Sequence, residues 1–508
     1  MIADKFFAFS SLLLAGGTLA VADDVVEHPN VLFIYADDLG YGDVECYART
    51  SDATPNIAAL CREGVHFENA YSTASTSTPS RYSLLTGEYA WRRRGTDVAA
   101  GNAAMIIPPD CLTVADVFKR AGYVTGAFGK WHLGLGAVTG EQNWNGTLSP
   151  SPADLGFDEH YIMAATGDRV PCVFIENGRV SGFDETAPIE VSYVKNFEGE
   201  PTGKDNPELL YNLRSSHGHN MSIVNGIGRI GYMRGGGTAL WKDENIADSI
   251  TARAVEFIRS HGNEPFFLYF AANDVHVPRF PHERFRGKSG MGLRGDAIVQ
   301  FDWSVGCLVE ALRECGLLEK TLIILTSDNG PVVDDGYADD AEALLGGHKP
   351  AGELRGGKYS AYEGGARVPF VVLWQGVTER GVVCDKLVSQ VDFLPTMAAL
   401  AGVEVGEVLD GKDYLSSWLG KDGDVRPYVV TQASNHTLSL RTAEWKFIEP
   451  KGGPLMVPWG PKIETGYSTV SQLYDMRVVG ESENVADKHP AIVEQLRLLL
   501  QNEKNKIK

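Results

Sequence analysis

Two acidic groups carry the first chemical signal. Asp37-Asp38 follows the apolar run Val31-Leu32-Phe33-Ile34-Tyr35-Ala36, and Asp328-Asn329-Gly330 follows the run Thr321 to Thr326. Three carboxylates gathered at one edge repel unless a cation lies between them. With an amide oxygen they form a hard donor set, suited to Ca²⁺ or Mg²⁺ and poor at telling the two apart. Basic and titratable groups follow other apolar runs: Lys130 and His132 in Gly129-Lys-Trp-His-Leu-Gly134, and His276 in Asn273-Asp-Val-His-Val-Pro278. Lys358, in Gly356-Gly357-Lys358, precedes Glu363-Gly-Gly-Ala-Arg-Val-Pro369. Beside a metal these groups supply fixed positive charge and proton transfer, which the transition state of an anionic ester requires. The last piece is Ser77-Thr-Pro-Ser-Arg81. Pro79 suits a first helical turn, so Ser77 stands at a helix N-terminus, a position that favours bound anions; a plain N-cap serine would stand there too.

The elements that must position these groups alternate. The continuous apolar run at 31–36 reads as a strand buried on both faces, and 123–128, 265–272, 321–326 and 368–374 read as further strands. Helical patterns at 112–121, 246–260 and 296–315 lie between them. This order predicts an α/β fold with a large, mostly parallel sheet flanked by helices. Such sheets bind ligands outside the carboxyl ends of their strands, where the groups above would stand. Residues 137–245 are Gly-, Asn- and Ser-rich with weak periodicity, the pattern of a functional insertion. From about 425 short strands (428–430, 437–441, 445–448) and a helix near 491–502 predict a smaller α+β unit. The expected division is a leader at 1–22, a catalytic α/β domain at 23–424 and a C-terminal unit at 425–508.

Composition narrows the classes. The 508 residues are 44% hydrophobic and 22% charged, enough to bury a sizeable core. Lys and Arg total 46 against 66 Asp and Glu, a net charge of −20 that argues against general nucleic-acid binding. Seven sparse Cys exclude a disulfide scaffold, the absence of CxxC spacing gives a structural zinc site no support, and any pairing stays open. Phe6 to Val21 is apolar and small and ends in Ala20-Val21-Ala22 before Asp23-Asp24, a signal-peptide pattern. No Cys follows to carry a lipid anchor, and no other run is long enough to span a membrane. The expectation is an exported protein.

Ser77-x-Pro79-Ser80-Arg81, ending in Leu85-Thr86-Gly87, resembles the signature of the formylglycine-dependent sulfatases, a family with an alkaline phosphatase-like fold. The likeness runs from about residue 29 to the end. It takes in Asp37-Asp38, the 129–134 motif, His276-Val-Pro, Ser327-Asp-Asn-Gly330, Gly356-Gly-Lys358 and the 363–369 motif. Late elements fit too, among them Ser439-Leu-Arg441, Trp445-Lys-Phe447 and Leu473-Tyr-Asp475.

The resemblance implies that Ser77 is oxidised to formylglycine by a maturation enzyme. It further implies that Asp37, Asp38, Asp328, Asn329 and the modified residue 77 bind one divalent cation, usually calcium. The hydrated aldehyde attacks sulfur, Arg81 and Lys130 hold its charge and that of sulfate, and Lys358 contacts the sulfate oxygens. His276 protonates the leaving alcohol, and His132 takes the proton whose loss expels sulfate. Serine rather than cysteine at 77 resembles bacterial enzymes matured before export, which suggests a periplasmic or secreted location. The sequons at Asn145, Asn220 and Asn435 would matter only in a eukaryotic secretory host.

The substrate expected is a sulfated carbohydrate, a glycosaminoglycan or mucin-type glycan, with the long insertion walling the pocket. Arg169, Arg214, His217 and His219 are its polar candidates. The alternatives are a broad-specificity arylsulfatase and a phosphomonoester or phosphonate hydrolase of the same superfamily.

Overall fold

The computed structural model describes residues 28–48, 52–406, 410–478 and 481–506, and the leader expected at 1–22 lies outside the described residues. Its strands run β1 (Asn30–Ala36), β2 (Val65–Tyr71), β3 (Val124–Lys130), β4 (Glu159–Met163), β5 (Phe174–Glu176) and β6 (Arg179–Val180). Four short ones follow within the insertion: β7 (Glu190–Ser192), β8 (Ile223–Val224), β9 (Ile227–Gly228) and β10 (Tyr232–Arg234). Then come β11 (Phe266–Ala271), β12 (Thr321–Ser327), β13 (Phe370–Trp374) and β14 (Val382–Ser389). The last four are β15 (Tyr428–Gln432), β16 (Leu438–Thr442), β17 (Trp445–Ile448) and β18 (Gln472–Asp475).

Ten strands form one sheet in the order β14-β2-β13-β12-β1-β11-β3-β4-β5-β6. The central run from β12 to β4 is parallel throughout. β13 is antiparallel to both its neighbours, β12 and β2. The apolar run of β1 is buried on both faces because alternate residues enter different cores. Val31, Phe33 and Tyr35 pack with Phe118, Leu84 and Phe393 on one side. Leu32 and Ile34 pack with Ile57, Phe257 and Phe301 on the other. Each helix has a local cause. Ile246–Ser260 buries Ile250, Ala254, Phe257 and Ile258, one helical stripe. The helix Val114–Arg120 starts after the expected Leu112 because Thr113 and Asp116 close a reciprocal capping box there.

A second sheet, antiparallel, has the order β15-β16-β17-β18, and the helix Pro490–Asn505 follows it. Leu496 and Leu500 of that helix cover Leu440, Phe447 and Leu473. One disulfide among the described residues, Cys46–Cys61, joins segments just after β1 and just before β2. No described helix is long and apolar enough to cross a membrane.

Candidate active site

Topology brings the chemical residues together. β12, β1, β11 and β3 lie side by side and parallel, with Ala36 opposite Ser327, Tyr35 opposite Ala271, and Ala271 opposite Gly129. The residues that follow these strands therefore emerge at one edge: Asp37-Asp38, Asp328-Asn329, the 273–276 loop, and Lys130 to His132. Backbone bonds lock the ends at one level, from Asp37 N–H to the Asp274 carbonyl (3.0 Å) and from Asp328 N–H to that of Ala36 (3.2 Å). β13 reverses direction twice over, so β2 points the same way as β12 and delivers the helix Ser77–Thr86 to the same edge. β13 also starts at that edge, which brings in Lys358. Glycine is required at 129, where φ is 106° and a Cβ would lie 1.9 Å from the Ala271 carbonyl oxygen.

Ser77 is the first residue of its helix, and Thr76 is the N-cap. The Ser77 hydroxyl makes no capping bond. Its Oγ accepts from Lys130 Nζ at 2.8 Å and lies 3.3 Å from Asn329 Oδ1 and 3.4 Å from Asp37 Oδ1. Lys130 Nζ also donates to Asp37 Oδ2 at 2.5 Å. Arg81, one helical turn on, donates through Nε and Nη2 to Asp328 Oδ2 at 3.0 and 2.7 Å. Asn329 Nδ2 donates to Asp38 Oδ1 at 2.7 Å. Lys358 Nζ donates to Asp38 Oδ2 and Asp335 Oδ2, both at 2.9 Å. His276 Nε2 stands 3.9 Å from Asp38 Oδ2 while its Nδ1 donates to the Val277 carbonyl at 2.7 Å. His132 Nε2 donates to the Ala99 carbonyl at 3.0 Å, and its buried Nδ1 has no hydrogen-bond partner among the described residues. Each carbonyl accepts only, which sets both tautomers.

Burial makes these charges strong. Burial and the neighbouring Asp328 hold the Asp37 carboxyl well above its usual range, against the pull of Lys130. Burial works on Asp328 too, but Arg81 and Lys130 overcome it and hold that carboxyl below the ordinary value. Burial pushes Lys130 down, whereas Asp335 and Asp38 outweigh burial at Lys358 and raise it. Both imidazoles lie well below the usual histidine value, through burial first and then Lys130 beside His132 and Lys358 beside His276. Four carboxylates (Asp37, Asp38, Asp328, Asp335) thus face three cations (Arg81, Lys130, Lys358). That excess of buried negative charge, carried on oxygen donors, fits a hard divalent ion. Ligand atoms of Asp37, Asp38 and His276 lie within 4.8 Å of one another. Asp328, also expected as a ligand, has Oδ2 occupied by Arg81 and Oδ1 3.3 Å from the Asp38 N–H.

A pocket of about 550 Å³ opens over these groups. Of the insertion's four polar candidates, Arg169 and His219 line it, and Arg214 and His217 do not. Both lining residues meet on Asp168, His219 Nε2 at 2.9 Å from Oδ2 and Arg169 Nη1 at 2.9 Å from Oδ1. Asp168, Asp335, Tyr359 and Trp459 line the pocket and were not singled out from the sequence. The one local signal was adjacency, Asp168 to Arg169 and Tyr359 to Lys358. Gln432, Ser434 and His436 reach the pocket from the C-terminal part of the chain.

A doubly covered α/β sheet with this edge defines a class of ester hydrolase, and the family model named Sulfatase matches residues 29–403. The chain belongs to the sulfatase family. It is 49% identical over 483 residues to the N-acetylgalactosamine-6-O-sulfatase of Bacteroides thetaiotaomicron, covering 94% of each chain. Human arylsulfatase A is 34% identical over 418 residues, 81% of this chain and 71% of that one. A solved structure from work on the metabolism of multiple glycosaminoglycans by B. thetaiotaomicron superposes with a TM-score of 0.91 at 49% identity, covering 94% of this chain and 99% of that one. A phosphonate monoester hydrolase from Silicibacter pomeroyi shares the fold at a TM-score of 0.58 and 18% identity, covering 94% of this chain and 96% of that one.

Proposed function

We propose that this sulfatase removes O-sulfate from a sulfated carbohydrate, with 6-O-sulfated N-acetylgalactosamine the first substrate to try, and that residue 77 acts after conversion to formylglycine. The observation that carries the reading is the setting of Ser77 Oγ, free of any capping duty and 2.8 Å from Lys130 Nζ at the foot of the pocket. Formylglycine, in its hydrated form, supplies the nucleophilic oxygen that plain serine cannot pair with a second hydroxyl.

The chain's own residues do the rest. Lys130 and Arg81 hold positive charge beside residue 77. Lys358 bonds to two carboxylates and can reach sulfate oxygens. His276, with Nδ1–H held by the Val277 carbonyl, presents Nε2 to the pocket. A bound anionic ester favours its protonated form, which then donates to the leaving oxygen. His132 keeps a lone pair on Nδ1 and can take a proton. Asp37, Asp38, Asp328 and Asn329 would hold Ca²⁺, or Mg²⁺, whose charge would neutralise the ester. The identity with the galactosamine sulfatase and the sugar-sized pocket with Asp168, Arg169 and His219 support the substrate class. Export with the 1–22 leader, maturation by a formylglycine-generating partner, and division at 424/425 belong to the same reading.

The test is the mass of the tryptic peptide from Glu63 to Arg81, taken from protein of the native host. Oxidation of Ser77 lowers it by about 2 Da. An unchanged mass in protein that releases sulfate removes the formylglycine mechanism. Turnover of aryl sulfates or phosphate esters without turnover of sulfated sugars removes the carbohydrate assignment.

A further inference from the structure

We propose that Trp459, braced by Tyr359, forms a second sugar subsite at the mouth of the pocket and receives the sugar unit joined to the sulfated one. The inference rests on the carbohydrate reading above and extends it, since the preferred substrate is then at least a disaccharide.

The pocket grades from a closed, charged floor to an open aromatic rim. Ser77, His132, His276 and Lys358 are buried, yet Trp459 lines the same cavity with 47% of its surface exposed. A half-exposed indole is a large apolar face left in water, and here it is held rigidly there. On one side it packs edge-on against Tyr359, ring centroids 4.9 Å apart at 84°. Tyr359 is itself fixed, with its hydroxyl donating to Asp335 Oδ1 at 2.9 Å and its N–H to the Ser75 carbonyl at 2.8 Å. Its backbone is left-handed, φ 79°, a conformation a bulky residue keeps only where its surroundings impose it. On the other side the next residue, Gly460 (φ 144°), lies so close to the His217 ring that a Cβ would meet it at 2.2 Å. Tyr359 thus braces the Trp459 ring while the insertion packs against the backbone of the loop that carries it, which gives His217 a use outside the pocket. Polar groups share the rim. Asp97 pairs with His436 at 3.1 Å, and Gln432 Nε2 donates to His436 Nδ1 at 3.0 Å.

A pyranose matches such a rim. Its C–H face lies on an aromatic ring while its hydroxyl edges bond to polar side chains, and a clamped ring loses little entropy on binding. Because Trp459 is continuous with the cavity that holds Ser77, its natural occupant is the neighbour of the sulfated sugar.

The experiment compares kcat/KM for 6-O-sulfated N-acetylgalactosamine and for a disaccharide containing it, in wild type, Trp459→Ala and Trp459→Phe. Wild type should favour the disaccharide. Trp459→Ala should lower disaccharide kcat/KM about tenfold, the size of one aromatic contact, through KM. Its monosaccharide value should stay within about twofold, and Trp459→Phe should recover most of the loss. Equal efficiency of wild type on both substrates, or equal losses on both in Trp459→Ala, overturns the subsite but leaves the carbohydrate reading intact. Failure of wild type on both sugars, with aryl sulfate still hydrolysed, overturns that reading and the subsite with it.

Discussion

The ammonium of Lys130 stands 2.8 Å from the hydroxyl of Ser77, and the same nitrogen holds Asp37 at 2.5 Å. One buried cation thus serves both the residue proposed to react and a carboxylate proposed to bind metal. Replacing Lys130 by Ala should lower kcat by about 10²–10³-fold, the usual cost of removing one preorganised charge at a reacting centre. Steady-state rates on one sulfated sugar test this. A loss confined to KM would limit Lys130 to ground-state binding.

Asp328 gives Oδ2 to Arg81 and Oδ1 to the Asp38 N–H, beside the carboxylates proposed to bind the metal. Calcium at a hundred times its Kd should stabilise the protein by about 2.7 kcal/mol, read as a calcium-dependent rise in Tm that chelator reverses. Asp328→Asn should move the half-maximal calcium concentration upward at least about tenfold. An unchanged midpoint would remove Asp328 from the site.

Arg169 and His219 converge on Asp168 at the pocket wall, away from Ser77's direct partners. Arg169→Ala should raise KM for the sulfated sugar about tenfold and leave a small aryl sulfate within about twofold. Equal effects on the two substrates would favour a broad arylsulfatase and count against a sugar-recognising wall.

Asp302 supplies a pH test far from that edge. Its carboxylate accepts the Asn56 and Ile57 N–H groups at the start of the helix Pro55–Glu63, at 3.0 and 2.9 Å. Burial nevertheless pushes it up to about 6, despite those bonds. The folded value lies above the unfolded one of about 3.9, so its contribution is fully present below about pH 4 and fades as pH rises through about 6. Between pH 4 and 7 wild type should lose about 2 kcal/mol of stability relative to Asp302→Asn. Denaturant unfolding at several pH values measures the difference, and a flat one would mean that the carboxylate ionises without cost.

The legible parts of the molecule were those with strong local physics. The runs before Asp37 and Asp328 read as strands because both their faces are buried, and the strand-end rule then put the acidic pairs at one edge. β2, Val65-His-Phe-Glu-Asn-Ala-Tyr71, went unread because Glu68 and Asn69 break its apolar pattern. The strand at 370–374 was legible, but its antiparallel direction was not, since direction depends on where the chain crosses and no residue encodes that locally. Asp335 and Trp459 belong to contacts between segments remote in sequence and carry no local mark. The Cys46–Cys61 pairing was illegible for another reason: the two lie 15 residues apart, but seven cysteines without a spacing signature leave many pairings open. The proposed oxidation of Ser77 rests on resemblance, because nothing in the composition around a serine signals it.

All ten residues of the helix that begins at Ser77 are buried, and Ser77 itself is 3% exposed. No enzyme could grip that segment in the finished molecule. The proposed oxidation therefore races against folding, and a chain that wins the race unmodified is locked out of activity for good. Yield of working enzyme is then set by how long the segment stays extended, so slower folding should give more of it.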